Sequence, residues 1–295
     1  MTAAERYIPR RPTVQGRNLG AQLRRLRDES GVSADVAAAC LECSRAKISR
    51  METGHVPVRT RDVRDLLDLY GVDDETLRSH LEGLAKGSTA PGWWWTYDDT
   101  LPPAYADYLD LERKASEVHT WQTVLVPGLL QTPDYARAIT GVNPAAAKPE
   151  SVETFVKVRQ ERQERFWRDP KPGEEPTRLS VVLWEPVIMA PMGGRETMRA
   201  QLKALITRSE DPRVNLQVLP LSVGAHAGVS GSFVTLHFPS DLDSDVVYCE
   251  NLTSTLFMEK TVETDGYRQS FELLSSAAEG PAETRARLKR ILDSL

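Results

Sequence analysis

SADVAAACLECSRAKISRMETG, Ser33 to Gly54, reads as two short helices joined by a tight turn, the second of them basic. Ser33 and Ser44 each stand where a short hydroxyl side chain can accept an orphan backbone N–H at a helix start. The span between them leaves room for one helix and one turn. At about 100° per residue, Ile48, Met51 and Glu52 fall on one side of the second helix, and Ala46, Ser49 and Arg50 on the other. The first side can pack against Val32, Val36, Ala37 and Leu41. The second is left free, with Arg45 and Lys47 on its shoulders. Helix, turn and basic helix is the arrangement that places a recognition helix in the major groove, so double-stranded DNA is the expected partner.

With LGAQLRRLRDES before it and RTRDVRDLLDLYGVD after it, this stretch makes a run, Leu19 to Asp73, that resembles the Xre/Cro/cI-type helix-turn-helix family. Gly31, Ser33, Ala38, Leu41, Ser44, Ile48, Ser49, Glu52 and Gly54 carry the likeness. The chain departs at Ala34, Ala37 and Glu42, where the family usually has glutamine, leucine and glycine. A positive φ at residue 42 would be costly without glycine. The resemblance implies that Arg45, Ala46 and Arg50 face base edges, with Lys47 and Ser49 beside them, and that Arg27 bridges to Glu52. Arginine suits bidentate contact with guanine O6 and N7, so Arg45 and Arg50 are expected to specify sequence. Lys47, Arg59 and Arg61 are expected on phosphate, and Ser33 and Ser44 complete the DNA-contacting set at the two helix starts.

The chain of 295 residues is long enough for two domains. Its net charge of −5 argues against a nucleic-acid binder until the distribution is considered. Residues 1–70 hold 13 basic against 9 acidic side chains, and the remainder 24 against 33. That polarity suits a basic head on an acidic body. The expected organisation is a flexible basic arm over 1–17, a helix-turn-helix domain of about five helices over 18–86, a linker over 87–98 and an α+β domain over 99–295. Arg6, Arg10, Arg11 and Arg17 give the arm two readings, a minor-groove arm or a solvated terminus. With neither a long apolar run nor a secretory h-region, a cytoplasmic protein with no membrane partner is expected.

Three consecutive indoles, Trp93 to Trp95, cannot all face inward on one element. A wedge between domains or subunits is expected, with a stacking platform for aromatic ligands as the alternative. Cys40 and Cys43 form a C-x-x-C across the turn, and Cys249 is the third cysteine. A redox or metal switch there competes with a plain packing role for Cys43. No metal ligand set, cofactor or catalytic residue is expected.

Beyond residue 100, YADYLDLERKASEVHTWQ, VETFVKVRQERQERFW, RETMRAQLKALITR, GYRQSFELLSSA and the terminal PAETRARLKRILDSL read as helices. RLSVVLW, VNLQVLP, SFVTLHF and DVVYCE read as strands. The fold class is therefore α+β, an all-α head followed by a larger domain with a small sheet. Pro127–Ile139 (PGLLQTPDYARAI), VRQERQERF, MRAQLKALI, LQVLPLSVGAHAGVSGSF and DVVYCEN are together similar to the C-terminal domain of WhiJ-like, antitoxin-like regulators. That resemblance implies a small BldB-like partner protein. Relatives usually show Asp-Glu after the first strand where this chain has Trp184-Glu185, so no role passes to Glu185.

Glu185, His226 and His237 are titratable, yet no nucleophile elbow, P-loop or H-E-x-x-H accompanies them, and an enzyme is not expected. A sequence-specific DNA-binding regulator is the expected function, probing a two-fold site as a homodimer. An antitoxin-like factor that sequesters a small partner is the alternative.

Overall fold

The computed structural model describes residues 12–89, 92–97, 100–142, 149–170, 173, 175–240 and 242–295. The chain divides after Trp93 into two compact units.

The first unit is all helical: α1 (Val14–Glu29), α2 (Ala34–Cys40), α3 (Arg45–Glu52), α4 (Thr60–Leu69) and α5 (Glu75–Thr89). Thr13, Ser33 and Ser44 cap the first three by accepting the N–H of Gly16, Val36 and Lys47. One apolar core, including Leu19, Leu23, Ala37, Ile48, Met51, Val63, Leu67 and Leu81, joins the five helices. α1 and α3 cross in close contact at Gly20, where a Cβ would stand 2.4 Å from the Met51 carbonyl oxygen. Gly54, at φ +75°, likewise lies against the backbone of Gly16 and Arg17.

Three sequence expectations change here. The arm is shorter than 1–17, because Val14 to Arg17 form the first turn of α1; residues 1–11 lie outside the described residues. α5 runs on to Thr89, and Trp93–Tyr97 forms a 3-10 turn, so the expected linker is partly helical. In that turn Trp94 is buried and Trp95 exposed. Val36 does not pack inward but is 49% exposed. Ala37 and Ala38 supply the inward face of α2 instead, their small side chains allowing close approach.

The second unit is α+β. It contains α6 (Pro103–Lys114), β1 (Glu117–Gln122), α7 (Pro133–Gly141), α8 (Pro149–Phe166), β2 (Arg178–Trp184), α9 (Glu185–Met189), α10 (Arg195–Arg208), β3 (Val214–Leu219), β4 (Phe233–His237), β5 (Val246–Glu250), β6 (Thr255–Met258), α11 (Thr261–Ala277) and α12 (Pro281–Ser294). The strands form one six-stranded mixed sheet in the order β3-β2-β1-β4-β5-β6. β1 pairs in parallel with β2 and antiparallel with β4, so a parallel half meets an antiparallel meander at its centre.

The sheet is larger than the four strands expected. EVHTWQ, expected to prolong the preceding helix, is β1: the helix stops at Lys114 and Ala115 turns extended, after which Val118, Thr120 and Trp121 favour a strand. β6 was likewise not foreseen. On one face of the sheet Trp121, Val182, Leu219, Phe233 and Val247 pack against Phe271 and Leu274 of α11. The β3 edge is closed, since Val218 receives a hydrogen bond on its carbonyl from the Glu279 N–H and gives its own N–H to Thr284 Oγ1. Leu288 of α12 is fully buried, so the terminal stripe packs on its own unit.

A charged pair also lies inside this unit. Arg162 of α8 grips Glu112 of α6 through Nε–Oε1 at 2.7 Å and Nη2–Oε2 at 2.5 Å. Tyr108 donates to the same carboxylate at 2.8 Å. Burial alone would lower the Arg162 pKa, yet Glu112 outweighs it and holds the guanidinium charged. Burial first, and Glu112 next, push the Tyr108 phenol well above its ordinary value.

Candidate nucleic-acid interface

α3 presents the face that the spacing requires. Ile48 and Met51 are buried beneath it, while Arg45, Ala46, Ser49 and Arg50 are exposed and Lys47 is half-buried. The hydroxyls of Ser33 and Ser44 serve as helix caps, each accepting a backbone N–H at 3.2 Å. Both side chains thus set the starts of α2 and α3. Arg59 is the N-cap residue of α4, without a side-chain cap bond, and Arg61 extends into solvent with Asp65 at 3.7 Å.

Arg45 also has a counter-charge that the sequence reading missed. Its Nη1 lies 3.7 Å from Asp35 Oδ2, with both side chains about 70% exposed (72% and 70%). A pair so wet is worth little, so Arg45 can leave Asp35 for a phosphate or a base at small cost. The signal was present in sequence as an acid in the first turn of α2, but only the crossing of α2 and α3 brings it to Arg45.

Arg27 meets Glu52 as the family resemblance implied. Arg27 Nε to Glu52 Oε1 is 2.6 Å and Nη2 to Oε2 is 3.2 Å, and Arg27 Nη1 also donates to the Val32 carbonyl at 3.1 Å. This fork fixes the last turn of α3 to α1 and to the loop entering α2. The bond to Glu52 raises the Arg27 pKa. Nearby, burial first and the Glu52 charge second push Tyr70 up to about 12.

The turn between α2 and α3 carries a backbone cost. Glu42 has φ 47°, the one positive φ outside glycine among the described residues. The left-handed region costs an L-residue roughly 1–2 kcal/mol, against roughly 0.5–1 kcal/mol for the entropy a glycine loses. Glu42→Gly is therefore expected to stabilise the head by about 0.5–1 kcal/mol. Urea unfolding followed by far-UV circular dichroism checks this, and an unchanged midpoint would show that the turn is unstrained.

Cys40 and Cys43 are both free thiols, with Sγ atoms 3.7 Å from the carbonyls of Asp65 and Ser44 respectively. Burial, then Asp65 and Asp68, raise the Cys40 pKa. That reduces its thiolate fraction and works against a reactive switch. Among the described residues no group of three or more His, Cys, Asp and Glu side chains is set to hold a metal, and no helix is long and apolar enough to cross a membrane.

In the second unit the expected titratable residues stay apart from one another. Glu185 accepts the Leu221 N–H at 2.8 Å and pairs with Arg287, which also holds Glu279. His226 sits edge-on to Trp121 in the Gly224–Gly231 loop, and the Trp121 indole N–H donates to the Gly228 carbonyl at 3.0 Å. His237 has a partner the sequence did not reveal, His119 of β1, whose ring nitrogen is 3.2 Å away.

Comparison with known proteins agrees with this division. No curated protein and no solved structure matches the chain. A family profile described as a helix-turn-helix domain matches residues 18–81, and one described as a domain of unknown function (DUF5753) matches residues 105–290. The second match covers more than half of the chain: the protein belongs to the DUF5753 family and carries a helix-turn-helix domain ahead of that region.

Proposed function

We propose that the chain is a cytoplasmic, non-enzymatic transcriptional regulator that reads a two-fold operator as a homodimer, with α3 in the major groove. The observation that supports this most directly is the face of α3: Arg45, Ala46, Ser49 and Arg50 exposed above a buried Ile48 and Met51, on a helix fixed by a capped start and the Arg27–Glu52 fork. In this reading Arg45 and Arg50 read base edges, and Lys47, Arg59 and Arg61 contact phosphate. The second unit binds an effector or a small partner protein. Its resemblance to WhiJ-like, antitoxin-like domains supports a partner of the BldB-like kind, and sequestration of such a partner is the second reading.

The test uses genomic fragments selected by the full chain. Arg50→Ala is expected to weaken the selected site by about 1–3 kcal/mol, a 5- to 150-fold loss, while scrambled DNA changes far less. Titrations at several salt concentrations give both numbers. Equal weakening on the two DNAs would remove the base-reading role.

A further inference from the structure

His119 and His237 belong to neighbouring antiparallel strands, and their side chains project from the same face of the sheet, one cross-strand step apart. Each imidazole is held from outside by a carboxylate. His119 Nε2 lies 3.2 Å from Glu117 Oε2, and His237 Nδ1 lies 2.8 Å from Asp245 Oδ2. An ionised carboxylate only accepts, so the nitrogen facing it carries the hydrogen. In the neutral rings this places both lone pairs on the inner nitrogens, His119 Nδ1 and His237 Nε2, which are 3.2 Å apart. Two lone pairs at that distance repel unless a cation or a proton stands between them. Thr235 can donate its hydroxyl hydrogen to His237 Nε2, but that leaves His119 Nδ1 facing the same nitrogen. The ring centroids are only 4.5 Å apart with planes inclined by 55°, so the nitrogens converge at an angle rather than meet head-on.

We propose that His119 and His237 form a two-imidazole site for a divalent transition-metal cation of the zinc class. A metal 2.0–2.1 Å from each nitrogen, with the nitrogens 3.2 Å apart, subtends an N–metal–N angle of about 100°. That is close to tetrahedral. Imidazole is a suitable ligand for zinc and its neighbours, and a carboxylate on the far nitrogen of each ring is the usual support for a metal-bound histidine. Thr235 Oγ1, 3.2 Å from His237 Nε2, stands beside the same point and can turn its oxygen toward it. Water supplies the remaining ligands, which the side chains' 22% and 17% exposure permits. Phe271 of α11 stacks on His119 at 4.8 Å and fixes the ring from the other side.

The experiment is a Zn²⁺ titration of the full-length chain, followed by long-range ¹H–¹⁵N spectra of the imidazoles. Expected are shifts of His119 Nδ1 and His237 Nε2 with their outer nitrogens still protonated, and no comparable change at His55, His80 or His226. Glu117→Gln is expected to weaken binding 10- to 100-fold, and His119→Gln to abolish the response of His237. Unmoved His119 and His237 signals at millimolar Zn²⁺ would overturn the proposal, leaving a proton as the occupant. So would an undiminished His237 response in His119→Gln. The wild-type spectra decide even if a variant fails to fold.

Discussion

Glu112→Ala is expected to destabilise the second unit by about 3–5 kcal/mol, because it leaves the buried Arg162 guanidinium without its carboxylate. Removing one partner of a buried pair costs far more than the pair contributes, since the survivor keeps its desolvation penalty and loses its compensation. Among the described residues Arg162 has only the Tyr105 and Tyr108 hydroxyls left as acceptors, each 3.3 Å away. A double replacement by apolar residues of similar volume, Glu112→Leu with Arg162→Met, is expected to recover most of the loss. Five of the six tryptophans, Trp94, Trp95, Trp121, Trp167 and Trp184, lie in this unit, so fluorescence during urea unfolding reports mainly this unit rather than the head. A loss below about 1 kcal/mol for Glu112→Ala would mean that the charge finds water when its partner is gone.

Gly20→Ala is expected to destabilise the head by about 1–3 kcal/mol and to displace α3. Two effects oppose each other at this position. Replacing glycine in a helix interior gains roughly 1 kcal/mol of propensity, but the new methyl would stand 2.4 Å from the Met51 oxygen and 2.6 Å from that of Glu52. Both atoms are backbone and cannot swing aside, so overpacking wins. Gly83, in α5 with nothing within 4 Å of its would-be Cβ, supplies the contrast: Gly83→Ala is expected to stabilise by about 0.5–1 kcal/mol. Hydrogen exchange of the core amides of α1 and α4 measures both, and the same sign for the two variants would refute the steric account. Because the clash is with the end of α3, operator affinity is expected to fall for Gly20→Ala and to stay for Gly83→Ala.

These cases also show why part of the molecule could be read from sequence and part could not. The helix-turn-helix is specified locally: caps at Ser33 and Ser44, an inward Ile48 and Met51, and a polar outward face, all within about two dozen residues. The Arg27–Glu52 fork needed the family resemblance, for nothing in a 25-residue separation announces a contact. In the second unit, RLSVVLW and SFVTLHF were legible as strands through their composition, whereas EVHTWQ followed a helical run with neither glycine nor proline to mark the break. TLFM is too short for any period to show. RQERQER looks like a solvated helix face, yet one of its arginines is the buried partner of Glu112. His237 drew notice as a titratable group, but His119, 118 positions away, became its neighbour only through the antiparallel pairing of β1 with β4.

That pairing also bears on how the chain emerges during synthesis. The head closes its core within Leu19–Ala85. β1, by contrast, stands at the centre of its sheet and must wait for Phe233 to face Trp121, about 110 residues later. At roughly 5–20 residues per second, this is a delay on the order of 10 s. For that interval a nascent chain carries a finished helix-turn-helix ahead of a half-made sheet. A ribosome that stalls in the second half of the message leaves the reading head without the unit meant to accompany it.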